Sequence, residues 1–66
     1  MIFLFDFRKD KRLTQAEMAS VIRVSYSLYQ KIENGERRPT IKFIEKFKKV
    51  FPEVSADVFF SGGDAA

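Results

Sequence analysis

The chain has 66 residues, of which 45% are hydrophobic and only five are Gly or Pro, so it forms one small folded domain and low-complexity disorder is excluded. It has no Cys and no His, which excludes disulfides, thiolate or imidazole metal sites and Cys nucleophiles, so we expect no enzyme, metal, cofactor or small-molecule site. Residues 1–49 hold all twelve Lys and Arg and six Asp and Glu, a net charge of +6, whereas residues 50–66 hold three acids and no base, a distribution typical of a basic body that meets a polyanion.

The first predicted element is a helix within residues 2–12, where Phe3 and Phe7 have helical spacing. Phe3, Phe5 and Phe7 also alternate as in a strand, so the pattern leaves both structures open. Ile2, Phe3, Leu4, Phe5 and Phe7 are more apolar residues than one helical face buries, and one side should stay exposed or meet another subunit. The segment lacks an export signal and no run is long enough to cross a bilayer, so we expect a cytoplasmic protein.

A second helix is predicted to begin at Thr14, because Thr14 and Glu17 have the spacing of a capping box. In that motif the Thr hydroxyl accepts from the Glu backbone amide, and the Glu carboxylate accepts from the Thr amide. Met18, Ala19 and Ile22 then share an inward-facing stripe.

A third helix follows, with Ser25 as its N-cap and Asn34-Gly35 as its end, because both of these last residues tolerate the left-handed conformation. Only Arg23 and Val24 are left to connect it to the second helix. So short a connection makes the two helices cross steeply, which is the geometry of a helix-turn-helix. The inner face is predicted to contain Leu28, Tyr29 and Ile32, and the outer face Tyr26, Ser27, Gln30 and Lys31.

A fourth helix is predicted after the basic loop at residues 36–39, with Thr40 as its cap and Pro52 as its end. Its predicted apolar face contains Ile41, Ile44, Phe47 and Phe51, and its lysines are interpreted as a solvated outer face. Ser55 caps a last short turn. We therefore predict an all-α, compact five-helix domain over residues 1–60, followed by a flexible tail at residues 61–66.

Several residue types at fixed offsets resemble the lambda repressor and Cro, or XRE-type, helix-turn-helix family. They are the run Leu13-Thr14-Gln15-Ala16-Glu17-Met18-Ala19, then Val24-Ser25, Lys31-Ile32-Glu33-Asn34-Gly35, and Pro39. The resemblance covers residues 4–60 and implies a lambda repressor-like fold that binds double-stranded DNA and regulates transcription.

The resemblance also implies roles for individual residues. Gln15 matches a glutamine that touches the DNA backbone and braces the recognition helix. Arg8 and Glu33 match an internal salt bridge between the first and third helices, and Arg37 and Arg38 match a loop that contacts phosphates. The positions that match base contacts in relatives, or lie close to them, are Tyr26, Ser27, Gln30 and Lys31.

Two positions depart from the family pattern. Arg23 stands where a Gly with positive φ is usual, and there a side chain costs roughly 1 kcal/mol. An additional cation near the phosphates is a plausible compensation. Tyr29 stands at a position that is more often aliphatic, so its ring is expected at the edge of the core with its hydroxyl in solvent.

These observations predict a sequence-specific, Cro- or repressor-like regulator. Gln15, Arg23, Arg37 and Arg38 are its predicted phosphate contacts. The exposed apolar ends, including Phe59 and Phe60, predict a homodimer on an inverted-repeat operator. The alternative from another class is a protein-binding module, such as an antitoxin whose aromatic ends engage a toxin and whose DNA binding is secondary.

Overall fold

A computed structural model of the chain describes residues 1–60. The four α-helices are α1 (Ile2–Asp10), α2 (Gln15–Ile22), α3 (Tyr26–Glu33) and α4 (Ile41–Val50), and a 3-10 helix follows at Ala56–Phe59. Within residues 1–60 there is no strand, so the predicted all-α fold is confirmed, with a 3-10 turn as its fifth element. The predicted tail at residues 61–66 lies outside the described residues.

The helices begin where the capping residues predicted them. The Thr14 hydroxyl accepts from the Glu17 amide at 3.1 Å while the Glu17 carboxylate accepts from the Thr14 amide at 2.8 Å, which completes the capping box. Ser25, Thr40 and Ser55 also accept hydrogen bonds from backbone amides two or three residues ahead, at 3.1–3.2 Å. Each cap satisfies an amide that the helix itself leaves without a partner.

The first segment is helical, and the strand alternative for Phe3, Phe5 and Phe7 is wrong. The rings of Phe3 and Phe7, one turn apart, stack with their centroids 5.5 Å apart, and Leu4 is fully buried beside them. A helix puts these three side chains on one side, toward the core, and leaves Phe5 partly exposed. Ile2 is also exposed, as expected for a segment with more apolar residues than one face buries.

An aromatic cluster around Phe47 fills the core where α1, α4 and the 3-10 helix meet. The Phe47 ring centroid lies 5.1–6.5 Å from those of five other rings, in tilted, stacked and edge-to-face pairs. These rings belong to Phe3, Phe7, Phe43, Phe51 and Phe59. The other wall of the core is formed by α2 and α3, which contribute Met18, Ala19, Ile22, Tyr29 and Ile32.

Two predictions about apolar residues are corrected by this packing. Ile41 is 64% exposed, whereas Phe43, which the predicted face of α4 omitted, is 1% exposed. The two positions are about 200° apart around the helix, so only one of them faces the core. In the predicted dimerisation pair, Phe59 is buried against Phe47 and offers no surface to a second subunit, while Phe60 is 55% exposed. No helix formed by residues 1–60 is long and apolar enough to span a membrane.

Candidate nucleic-acid interface

The turn between α2 and α3 is held by Arg23 in the left-handed conformation, with φ 65° and ψ 46°. The Val24 amide donates to the Ala19 carbonyl at 3.0 Å, and the Arg23 amide donates to the Ser20 carbonyl at 3.2 Å, which is a Schellman arrangement. Ala19 is buried beside α3, as expected from its small side chain. The turn therefore keeps its usual backbone despite the Arg at the glycine position.

The predicted base-contact residues lie together on the outer face of α3. Tyr26, Ser27 and Lys31 are exposed, and Gln30 is half-buried. The Gln30 Nε2 donates to the Tyr26 hydroxyl at 3.4 Å, one turn away on the same face. This face has hydroxyl, amide and ammonium groups, the chemical groups that read base edges in the major groove.

A buried ion pair holds α3 from behind. The Arg8 guanidinium donates from Nε and Nη2 to the two carboxylate oxygens of Glu33, each at 2.9 Å, and its Nη1 donates to the Leu13 carbonyl at 2.9 Å. The two side chains are 12% and 3% exposed, so the pair expected from the family resemblance is present and largely shielded from water. It joins α1 to the last residue of α3.

Gln15 extends this pair to α2, because its Nε2 donates to the Glu33 carboxylate at 3.2 Å. Gln15 is the first residue of α2 and is only half-buried, so its amide keeps donor and acceptor capacity toward solvent. One carboxylate therefore fixes the orientation of both helices of the motif. The terminal ammonium of Met1 also donates to the carbonyls of Ile32 and Glu33, at the negative end of the α3 dipole.

The electrostatics of the pair follow from its burial and its hydrogen bonds. Burial raises the pKa of Glu33, but the hydrogen bonds from Arg8 and Gln15 and the charge of Arg8 lower it, and the net effect holds this pKa below its ordinary value. The hydrogen bond to Glu33 raises the pKa of Arg8 further above neutrality. Both groups are charged at neutral pH, so the carboxylate remains an acceptor for Gln15.

The expected position of Tyr29 is wrong. Its ring is fully buried and stacks on Phe43 with the centroids 6.2 Å apart, and its hydroxyl is buried without a partner at normal hydrogen-bond geometry among residues 1–60. Burial and the nearby Glu33 carboxylate raise the pKa of the hydroxyl, which therefore stays neutral. The hydroxyl points toward the Arg8–Glu33 pair rather than to solvent because α4 covers the ring.

The loop cations lie beyond the other end of α3. Gly35 has φ 83° and reverses the chain after the helix, and the Glu36 amide donates to the Lys31 carbonyl at 2.8 Å. Arg37 and Arg38, which follow, are exposed. Exposed arginines thus lie in the connections on both sides of α3, with Arg23 before it and this pair after it.

One contact was missed from the sequence. Lys46 was interpreted as a solubilising residue, but its Nζ donates to the Arg23 carbonyl at 3.1 Å. No local pattern indicates a contact between residues 23 positions apart. Among residues 1–60, no group of three His, Cys, Asp or Glu side chains is arranged to hold a metal ion.

Comparison with known families gives an independent result. A family model described as helix-turn-helix matches residues 4–59, which is most of the chain. No curated protein and no solved structure matches the chain. The matched range contains α2, the turn and α3 together with the Arg8–Glu33 pair. The chain therefore belongs to the lambda repressor-like, or XRE-type, helix-turn-helix family of DNA-binding regulators.

Proposed function

We propose that this chain is a sequence-specific transcriptional regulator, a repressor of the Cro type that acts on DNA in the cytoplasm. The observation that carries the proposal is that α3 is fixed from behind by the Arg8–Glu33–Gln15 network while its polar outer face is free. A helix held at fixed orientation enters the major groove without losing conformational freedom on binding. Occupation of an operator blocks access to a promoter, so repression requires only this domain.

Contacts to phosphates are assigned to Gln15, Arg23, Arg37 and Arg38. The three arginines are exposed, and the Gln15 amide lies at the N-terminus of α2, where the helix dipole also favours an anion. Each phosphate that these cations neutralise releases counterions and makes the logarithm of affinity fall by about 0.9 per tenfold rise in salt. These phosphate contacts position the domain on a duplex of any sequence.

Base contacts are assigned to Tyr26, Ser27, Gln30 and Lys31. Lys31 donates to O6 and N7 of guanine, Gln30 pairs with adenine, and Ser27 suits several bases. Tyr26 is at the N-terminus of α3 and contacts a thymine methyl or a phosphate. Its hydroxyl accepts from Gln30, so the two side chains are oriented together before DNA arrives.

A two-fold homodimer would place two copies of α3 about 34 Å apart on an inverted repeat. Support comes from exposed apolar side chains at one end of the domain. Phe3 and Phe59 contact each other with ring centroids 6.3 Å apart, and their chain neighbours Ile2 and Phe60 are exposed. We assign dimerisation to Phe60 together with Ile2 and not to Phe59, because the Phe59 ring is buried.

The direct test is selection of binding sites from random duplex, followed by a gel shift of the selected site and of random duplex at two salt concentrations. We expect an inverted repeat and a salt-sensitive shift. A chain that shifts no duplex at low salt would contradict the proposal and favour the protein-binding alternative.

A pair of substitutions separates the two kinds of contact. Lys31→Ala is expected to weaken binding to the selected site by about 1 to 3 kcal/mol and to relax one base preference, because it removes a base-edge donor. Arg38→Ala is expected to weaken binding to all sequences alike and to lower the salt slope by about 1. Fluorescence anisotropy over a salt series measures both. Equal effects of the two changes on every sequence would contradict the assigned roles.

A further inference from the structure

A groove of about 520 Å³ opens between the C-terminal ends of α2 and α4. Its apolar part is formed by Ile22 and by Val50, which is 40% exposed. Its basic part is formed by Arg23, Lys46 and Lys49, and none of the acidic residues among residues 1–60 lines it. We call this surface the basic groove.

The basic groove carries three positive charges that the domain does not neutralise. Within residues 1–60 the single ion pair is Arg8–Glu33, so no carboxylate lies within 4.0 Å of the three cationic groups. The exposed Lys46 ammonium donates to the Arg23 carbonyl at 3.1 Å, which orients it toward the rim of the groove. The groove therefore combines a partly exposed apolar floor with a fixed positive rim.

The groove includes none of the side chains on the outer face of α3. Lys46, Lys49 and Val50 belong to α4, whose Phe43 ring stacks on Tyr29 at the inner face of α3. Because α4 packs behind α3, a ligand in the groove leaves Tyr26 and Lys31 accessible to a duplex.

We propose that the basic groove is a docking site for an acidic peptide segment of another protein, one that carries an aliphatic or aromatic side chain. That side chain packs on Val50, which is 40% exposed beside the buried Ile22, and flanking carboxylates pair with Arg23, Lys46 and Lys49. A sugar-phosphate backbone satisfies the cations but has no apolar group for the floor, so charge and shape together favour the peptide. This site shares Arg23 with the proposed phosphate contacts and includes none of the proposed base contacts.

The probe is a fluorescein-labelled peptide of glutamates with leucines one helical turn apart, titrated with the intact chain at low salt in fluorescence anisotropy. Two control peptides carry serine in place of leucine, or glutamine in place of glutamate. We expect binding of the first peptide and at least a twofold loss of affinity with each control. Equal binding of the serine peptide, or no binding of the first, would overturn the proposal.

The matched variants are Lys49→Gln, in the groove, and Lys42→Gln, which removes the same exposed charge from α4 outside the groove. Lys49→Gln is expected to weaken peptide binding about two- to fivefold and Lys42→Gln to leave it unchanged. Val50→Asp, at a partly exposed position, should abolish binding of the peptide. Equal weakening by both lysine variants would mean a non-specific charge effect and would overturn the site.

A competition experiment distinguishes this site from the DNA interface. Unlabelled duplex is added to the complex of chain and labelled peptide, and because Arg23 alone is shared with the proposed phosphate contacts, peptide affinity is expected to fall by no more than about fivefold. Displacement at stoichiometric duplex would assign the groove to DNA and overturn the proposal. Because the first titration contains no DNA, its result does not depend on whether the chain regulates transcription.

Discussion

Helices α3 and α4 both pack on the apolar core, but a buried polar network holds α3 in addition. The buried side of α3 ends in Glu33, which accepts charge-assisted hydrogen bonds from Arg8 and Gln15. The buried side of α4 consists of Phe43, Ile44 and Phe47 and is held by aromatic packing. Ring packing is strong but tolerates rotation, whereas hydrogen bonds have direction. α4 therefore contributes mainly apolar packing to the domain, while the network behind α3 orients the outer face of that helix.

The largest effect on the free energy of unfolding is expected from a substitution in the aromatic packing of α4. Phe47→Ala removes a fully buried ring that contacts five others, and we expect a loss of about 4 kcal/mol in the free energy of unfolding. Urea unfolding followed by circular dichroism measures this. Phe5→Ala, at a partly exposed ring, is the control and should cost less than about 1 kcal/mol. Similar losses for both would contradict the central position of Phe47.

The second-largest effect is expected from a substitution in the ion pair behind α3. Glu33→Gln leaves the buried Arg8 guanidinium without its counter-charge, and we expect a loss of about 3 kcal/mol in stability. Replacing both partners, with Arg8→Met and Glu33→Leu, should recover most of that stability, because no charge is then left buried. DNA affinity should not recover, because Gln15 has lost its acceptor. A double variant with wild-type affinity would show that the network does not orient the interface.

A smaller effect on the free energy of unfolding is expected from lowering the pH. Because the pKa of folded Glu33 lies below its unfolded value, the pair contributes its full stability above the unfolded pKa, about 4.3. That contribution is lost as the pH falls from there through the folded pKa. The difference in urea midpoint between wild type and Glu33→Gln should therefore be largest at neutral pH and shrink at acid pH. The other carboxylates titrate in both proteins, so a difference that stays constant with pH would contradict this assignment.

The smallest effect concerns the turn that joins the two parts of the motif. Arg23→Gly relieves a left-handed side-chain conformation and is expected to raise stability by about 1 kcal/mol. It should also reduce the salt slope of DNA binding by about 0.9 if the guanidinium contacts one phosphate. Arg12→Gly, at φ 61°, is a matched control for the strain term and should give a similar gain in stability. Unchanged salt dependence in Arg23→Gly would exclude the phosphate contact.

Features that depend on neighbours in the chain could be predicted from the sequence. The caps at Thr14, Ser25, Thr40 and Ser55 each bond an amide two or three residues ahead, so residue types at short spacing determine them. The left-handed turn at Arg23 was indicated by the family resemblance, which has a glycine with positive φ at this position.

Features that depend on distant residues could not be predicted in this way. The Tyr29 hydroxyl is buried because Phe43, fourteen positions along the chain, covers the ring. Phe59 and Phe60 were both predicted at a dimer interface, but only Phe60 is exposed, because the 3-10 turn directs Phe59 toward Phe47. At the site, the Arg8–Glu33 pair joins residues 25 positions apart, and only the resemblance to a family indicated it.

The outer face of α3 has a consequence for how such regulators diversify. Tyr26, Ser27 and Lys31 are exposed, and the structural interactions of the domain lie on the opposite side of the helix. Exchanging these three side chains leaves the core and the ion pair intact, so the free energy of unfolding changes little. With the proposed base contacts, the preferred DNA sequence can therefore change, or be redesigned, independently of the scaffold.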